Sequence, residues 1–167
     1  DYSAEVLPQA NLRAYKQVIF VGDSRTNRMA NTLERLGDAS LTNGISFIYK
    51  EGQGLSWFKE EGYQALLKQV GNGTNSILEK KTMVIFNLGV NDLGNVNDYI
   101  LYMRSIAPAL QKKGCVLYYM SVNPINNEMI KAYGKNKPRT EAAVCRFNAS
   151  IRSNLCSGSG KLFTYID

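Results

Sequence analysis

A chain of 167 residues, 44% of them apolar, has the size of one domain and buries roughly 70% of its unfolded surface, enough for a core without staples. No apolar run nears the ~20 residues that cross a bilayer. The net charge of +6, from 20 Lys and Arg against 14 Asp and Glu, is scattered rather than interleaved with aromatics, which argues against a nucleic-acid partner.

Residues 1–16 are weakly patterned and are expected to form an arm over the surface. Val18–Val21 is an apolar run, read as a short buried strand. Gly22 breaks it, and helical spacing starts by Thr26, with Met29, Ala30, Leu33 and Leu36 on one face and Gly37 as the stop. Ile45–Tyr49 is the second strand. Glu51-Gly52-Gln53-Gly54-Leu55-Ser56-Trp57 follows as a glycine-bearing loop, then a helical stretch with Leu66 and Leu67, then a loop at Gly71-Asn72-Gly73.

Met83–Phe86 is the third strand, and Asn87-Leu88-Gly89-Val90-Asn91-Asp92 leaves it. A long helix starts near Asn97, with Tyr99, Met103, Ile106 and Leu110 as its inner stripe. Pro108 should kink it or tighten its last turn. Cys115–Val122 is the fourth strand, ended by Asn123-Pro124. A polar, basic loop runs to Arg139, and Thr140 caps a helix whose apolar face is Val144, Phe147, Ile151 and Leu155. After the Gly158-Ser159-Gly160 turn, Leu162–Ile166 is the fifth strand.

Strands that are apolar on both faces and alternate with helices predict a three-layer αβα fold. Its sheet is parallel and five-stranded, of flavodoxin-like order 2-1-3-4-5, in one domain over 1–167. In that order ligands bind at the carboxyl ends of the strands, where the order reverses. Three loops meet there, carrying Ser24, Gly54 and Asn91.

Ser24 sits on the strand-to-helix turn, where the N–H groups of the first helical turn lack partners and the helix dipole is positive. That set suits acyl transfer. Ser24 attacks a carbonyl carbon, and the oxyanion faces the N–H groups of Ser24 and Gly54 and the amide of Asn91. The bland alternative for Ser24 is a helix cap, and for Asn91 a turn residue. Asp23 is expected to brace the turn through backbone N–H groups. Arg25 and Asp92 either pair across two loops or stand as solvated charges. Packing is the expectation for Trp57, and plain surface for Tyr133; with Tyr63 they are the alternative lining of an acyl or sugar pocket. Ser121, Asn123 and Pro124 are read as a structural turn, with a substrate rim as the alternative. Lys131, Lys135, Lys137 and Arg139 are read as a solvated loop, or as a rim that attracts an anionic substrate.

Gly22-Asp23-Ser24, Gly54 in its loop and Gly89-Val90-Asn91-Asp92 together resemble the SGNH hydrolases, the GDSL-type esterases and lipases. The tripeptide alone is weak, but its pairing with the second element is fairly specific. The resemblance implies Ser24 as nucleophile, with Gly54 and Asn91 completing the oxyanion hole. Gly52 competes with Gly54 for that alignment. It implies a serine ester hydrolase without metal or cofactor, acting on small acyl esters such as O-acetyl groups of carbohydrate, or on lipid esters. The family also carries a histidine with an aspartate three residues before it, beyond the last strand. This sequence contains no histidine. The expectation is that Asp-x-x-His lies in residues absent from this sequence, which would then be truncated at its C-terminus, or on a separate chain.

The competing reading is a non-catalytic phosphate- or glycan-binding module on the same fold. The start at Asp1 without methionine suggests a processed or trimmed chain. A secreted or cell-surface location is expected, with the cytoplasm as the alternative. Cys115, Cys145 and Cys156 show neither CxxC nor metal spacing, so no disulfide framework or metal centre is expected, and Cys115 reads as a small buried hydrophobe.

Overall fold

The computed structural model describes residues 15–39, 43–71, 80–125 and 139–167. Most of the expected arm, Asn72 and Gly73 of one loop, and Lys131, Tyr133, Lys135 and Lys137 lie outside these residues. Five strands form one parallel sheet: β1 Tyr15–Gly22, β2 Ile45–Tyr49, β3 Lys81–Asn87, β4 Cys115–Met120 and β5 Thr164–Ile166. Their order is β2-β1-β3-β4-β5. The helices are α1 Ser24–Leu36, α2 Leu55–Trp57, α3 Tyr63–Val70, α4 Val96–Lys112 and α5 Glu141–Leu155. A π turn, Phe58–Gly62, joins α2 to α3, and a 3-10 turn, Leu93–Asn95, precedes α4.

The order explains the layers. β1 steps to β2 in one direction and to β3 in the other. Right-handed crossovers therefore put α1 on one face of the sheet and the later helices on the other. The strands show it residue by residue. Ile19 and Val21 of β1, Val84 and Phe86 of β3, and Leu117 and Tyr119 of β4 join the large cluster that includes Leu66, Met103 and Phe147 of α3, α4 and α5. Val18, Met83 and Ile85 form a smaller cluster on the opposite face, flanked by Phe20, Ile45 and Tyr118.

Several strand boundaries differ from the sequence reading. β1 starts at Tyr15, three residues before the apolar run, because Tyr15 and Gln17 pair with Lys81 and Thr82 of β3 through their backbones. β4 ends at Met120 and β5 starts at Thr164, so Val122 and Leu162 lie outside the strands. Helix α4 continues through Pro108. Its end is tightened by three-residue bonds, Lys113 N–H to the Leu110 carbonyl at 3.0 Å and Gly114 N–H to the Gln111 carbonyl at 2.9 Å. Among the described residues no helix is long and apolar enough to cross a membrane.

Candidate active site

The turn from β1 into α1 is built by Asp23. Its carboxylate oxygen Oδ1 accepts the Arg25 N–H at 3.0 Å, making Asp23 the N-cap and Ser24 the first helical residue. Ser24 is therefore not the cap, and its half-buried side chain is not spent on that role. Gly22 lets the turn close. A Cβ there would lie 2.1 Å from Thr26 Oγ1 and 2.5 Å from the Asn87 carbonyl oxygen.

Asp23 is fully buried. The Arg25 guanidinium holds it with two bonds, Nε to Oδ1 and an η nitrogen to Oδ2, both at 3.0 Å. The other η nitrogen donates to the Ser121 carbonyl at 3.2 Å. Neither alternative for Arg25 and Asp92 holds, pairing across the loops or two solvated charges: a carboxylate two residues away captures the fork instead. The Ser121 N–H in turn donates to the Ile166 carbonyl at 2.8 Å. Ser121 thus takes the structural part, and the carboxyl end of β5 reaches the same sheet edge as Ser24.

Asp92 serves the neighbouring loop. It accepts the Leu55 N–H at 3.0 Å and the Tyr99 hydroxyl at 2.5 Å. Those two donors keep the carboxylate against the Gly54 backbone, where a Cβ would lie 2.3 Å from Asp92 Oδ2. The fit explains why position 54 is glycine although its φ of −138° suits any residue. Gly52 differs: its φ is 68°, and a Cβ there would meet nothing within 4 Å. Of the two glycines, only Gly54 packs against the Asn91-Asp92 element. Among the described residues, no hydrogen bond engages the Gly54 N–H.

The Asn91 side chain lies between two partners. Its Nδ2 donates to the Gln53 carbonyl at 2.8 Å, and its Oδ1 accepts from an Arg139 η nitrogen at 2.5 Å. A third link joins the loops, from Asn27 Nδ2 to a Glu51 carboxylate oxygen. The loops after β1, β2 and β3 thus meet at the carboxyl edge of three adjacent strands. They present a half-buried serine hydroxyl at a helix start, a glycine N–H and a primary amide with one N–H left to donate.

The second layer is aromatic. Tyr99 is fully buried, and burial, with the nearby Tyr119 and Asp92, drives its hydroxyl far above the ordinary tyrosine range. It is therefore a fixed donor to Asp92. Phe147 of α5 meets the Tyr99 ring edge-on at 5.3 Å. Phe147 also closes over Gly89, whose φ of 127° excludes most side chains. Trp57 is buried, and Tyr63 packs in a cluster with Phe58 and Tyr102, so neither lines an open pocket at this edge. Asn123 and Pro124 are exposed.

Two contributors were not assigned these roles from the sequence. In the sequence Arg139 belongs to the basic loop, and Tyr99 to the apolar stripe of α4. Nothing local marks Arg139 as a partner of Asn91, 48 positions away. No group of three or more potential metal ligands occurs among the described residues. Comparison with protein-family models and with curated proteins returned no match.

Proposed function

We propose that the chain acts as a serine ester hydrolase of the SGNH type, with Ser24 as nucleophile. The observation that carries this reading is the bond from Asn91 Nδ2 to the Gln53 carbonyl. It joins the Asn91 amide to the Gly54 loop at the edge where Ser24 begins α1. In the proposed reaction the Ser24 oxygen attacks the acyl carbon, and the carbonyl π pair moves onto oxygen. The N–H groups of Ser24 and Gly54 and the Asn91 amide hold that oxyanion. Collapse expels the alcohol, which takes a proton, and leaves an acyl-serine that water hydrolyses to acid and free Ser24. Small acyl esters, such as O-acetyl groups of a glycan, or lipid esters are the proposed substrates.

A hydroxyl needs a base, and the sequence has no histidine. We propose that an Asp-x-x-His element outside these residues, in the same polypeptide or a separate chain, takes the Ser24 proton. The approach of β5 to the Ser24 edge through Ser121 supports entry from that side. The lack of histidine also favours a second reading, a phosphate- or glycan-binding protein without turnover. The test is hydrolysis of a short-chain nitrophenyl ester by the full-length gene product, with Ser24→Ala as control. Loss of turnover in the variant is expected. Equal rates refute the hydrolase reading, and stabilisation by phosphate without turnover supports the second.

A further inference from the structure

We propose that Arg139 is a positioning residue for Asn91, fixing which end of the amide faces the oxyanion. This inference rests on the hydrolase reading above.

An asparagine amide has a donor end and an acceptor end of nearly equal size, and only its partners decide which points where. Here each partner has a single, opposite capacity. The Gln53 carbonyl can only accept, and the Arg139 guanidinium can only donate. With Nδ2 on Gln53 at 2.8 Å and Oδ1 on Arg139 at 2.5 Å, both contacts are satisfied. Turning the amide over would set oxygen against oxygen and NH2 against guanidinium. Without Arg139 only the Gln53 bond opposes that turn. The guanidinium also draws electron density toward Oδ1, which makes the remaining Nδ2 N–H a better donor to a developing negative charge.

The arginine is itself well placed for this task. It stands immediately before Thr140, whose side chain caps α5 by accepting the Ala143 N–H at 3.1 Å. Helix α5 is anchored in the core by Val144, Phe147, Ile151 and Leu155. Glu141, the next residue after the cap, accepts the Ile125 N–H at 2.8 Å and ties down the chain after β4. Arg139 is half-buried, and its Nε is buried without a hydrogen-bond partner among the described residues. The Asn91-Asp92 element is therefore reached twice from this side, by Arg139 ahead of the α5 cap on Asn91, and by Phe147 of α5 through the Tyr99 ring on Asp92.

The test uses the full-length gene product and a short-chain nitrophenyl ester. Removing an oxyanion donor outright lowers kcat by about 10²–10³-fold, so loosening one should lower it by about 10–100-fold. Arg139→Met is expected to show that loss in kcat with KM within about twofold, and Arg139→Lys to recover part of it. In an Asn91→Ala background Arg139→Met should add less than about twofold, since the group it positions is gone. A second measurement, independent of turnover, follows the Asn91 side-chain NH2 resonances in isotope-labelled Ser24→Ala protein, where Arg139→Met should displace them. Unchanged kcat in Arg139→Met, an equal further loss in the Asn91→Ala background, or unmoved resonances would each overturn the inference. Equal turnover by wild type and Ser24→Ala would instead refute the hydrolase reading and the positioning role with it, while the resonances still report whether Arg139 holds the amide.

Discussion

Substituting Gly54 by alanine separates the two glycines that compete for the oxyanion role. Backbone strain is not the issue at Gly54, since its φ is −138°. The added Cβ would lie 2.3 Å from Asp92 Oδ2 and 2.5 Å from both Cγ and Oδ1. The carboxylate cannot swing aside without loss, because Leu55 N–H and the buried Tyr99 hydroxyl hold it. Relief requires breaking at least one bond to a charged acceptor, a loss of about 1.5–3 kcal/mol. For a chain of this size about 2 kcal/mol lowers Tm by about 4–8 °C.

On the proposed mechanism the same displacement moves the Gly54 N–H off the oxyanion, which should cost about 10²–10³-fold in kcat. Gly52→Ala is the control. It meets no neighbour, but it puts a Cβ at a φ of 68°, a strain of about 1–2 kcal/mol, and kcat should hold. Thermal unfolding and ester kinetics on the two variants decide it. A Gly54→Ala protein that melts within about 1 °C of wild type would refute the steric reasoning. Activity lost in Gly52→Ala but kept in Gly54→Ala would hand the donor role to Gly52.

Tyr99→Phe removes the hydroxyl from Asp92 Oδ1, and thermal melts should show a loss of about 1.5–3 kcal/mol; a loss under about 0.5 kcal/mol would mean the hydroxyl is not a fixed donor. Arg25→Met leaves the fully buried Asp23 carboxylate without its bidentate partner and should destabilise by about 3–5 kcal/mol in denaturant unfolding, whereas an unchanged midpoint would contradict the pairing. Burial holds the Cys115 and Cys156 thiols up at about 11, and Cys145 is exposed. Maleimide at pH 7.5 should therefore modify one of the three thiols of this chain quickly, at Cys145; two fast equivalents would refute it. Because the folded state keeps those two thiols protonated more tightly than the unfolded state, stability should fall as pH rises from 9 toward 11. A denaturation midpoint that rises over that window would show the sign to be wrong.

The strand order was legible because a parallel sheet demands strands apolar on both faces, and Val18–Val21 and Met83–Phe86 are uninterrupted. The ends were not, since Gln17 and Asn87 join the ladder although their polar side chains mimic loop. Ser24, Gly54 and Asn91 could be put forward as candidates because each follows a strand in a recognisable local pattern. The side-chain partnerships escaped. Arg25 had two carboxylates in reach of argument, and only the turn geometry shows that Asp23 takes both arms of the fork. Arg139 meets Asn91 only because α5 packs beside α4, a tertiary fact without a sequence period.

The claim that Ser24 is the nucleophile is tested most directly by covalent capture. The full-length gene product is treated with a fluorophosphonate, and the adduct is located by peptide mass spectrometry. One equivalent on the peptide bearing Ser24, absent in Ser24→Ala and accompanied by loss of ester turnover, is the predicted result. Turnover that survives complete treatment with Ser24 unmodified would contradict it.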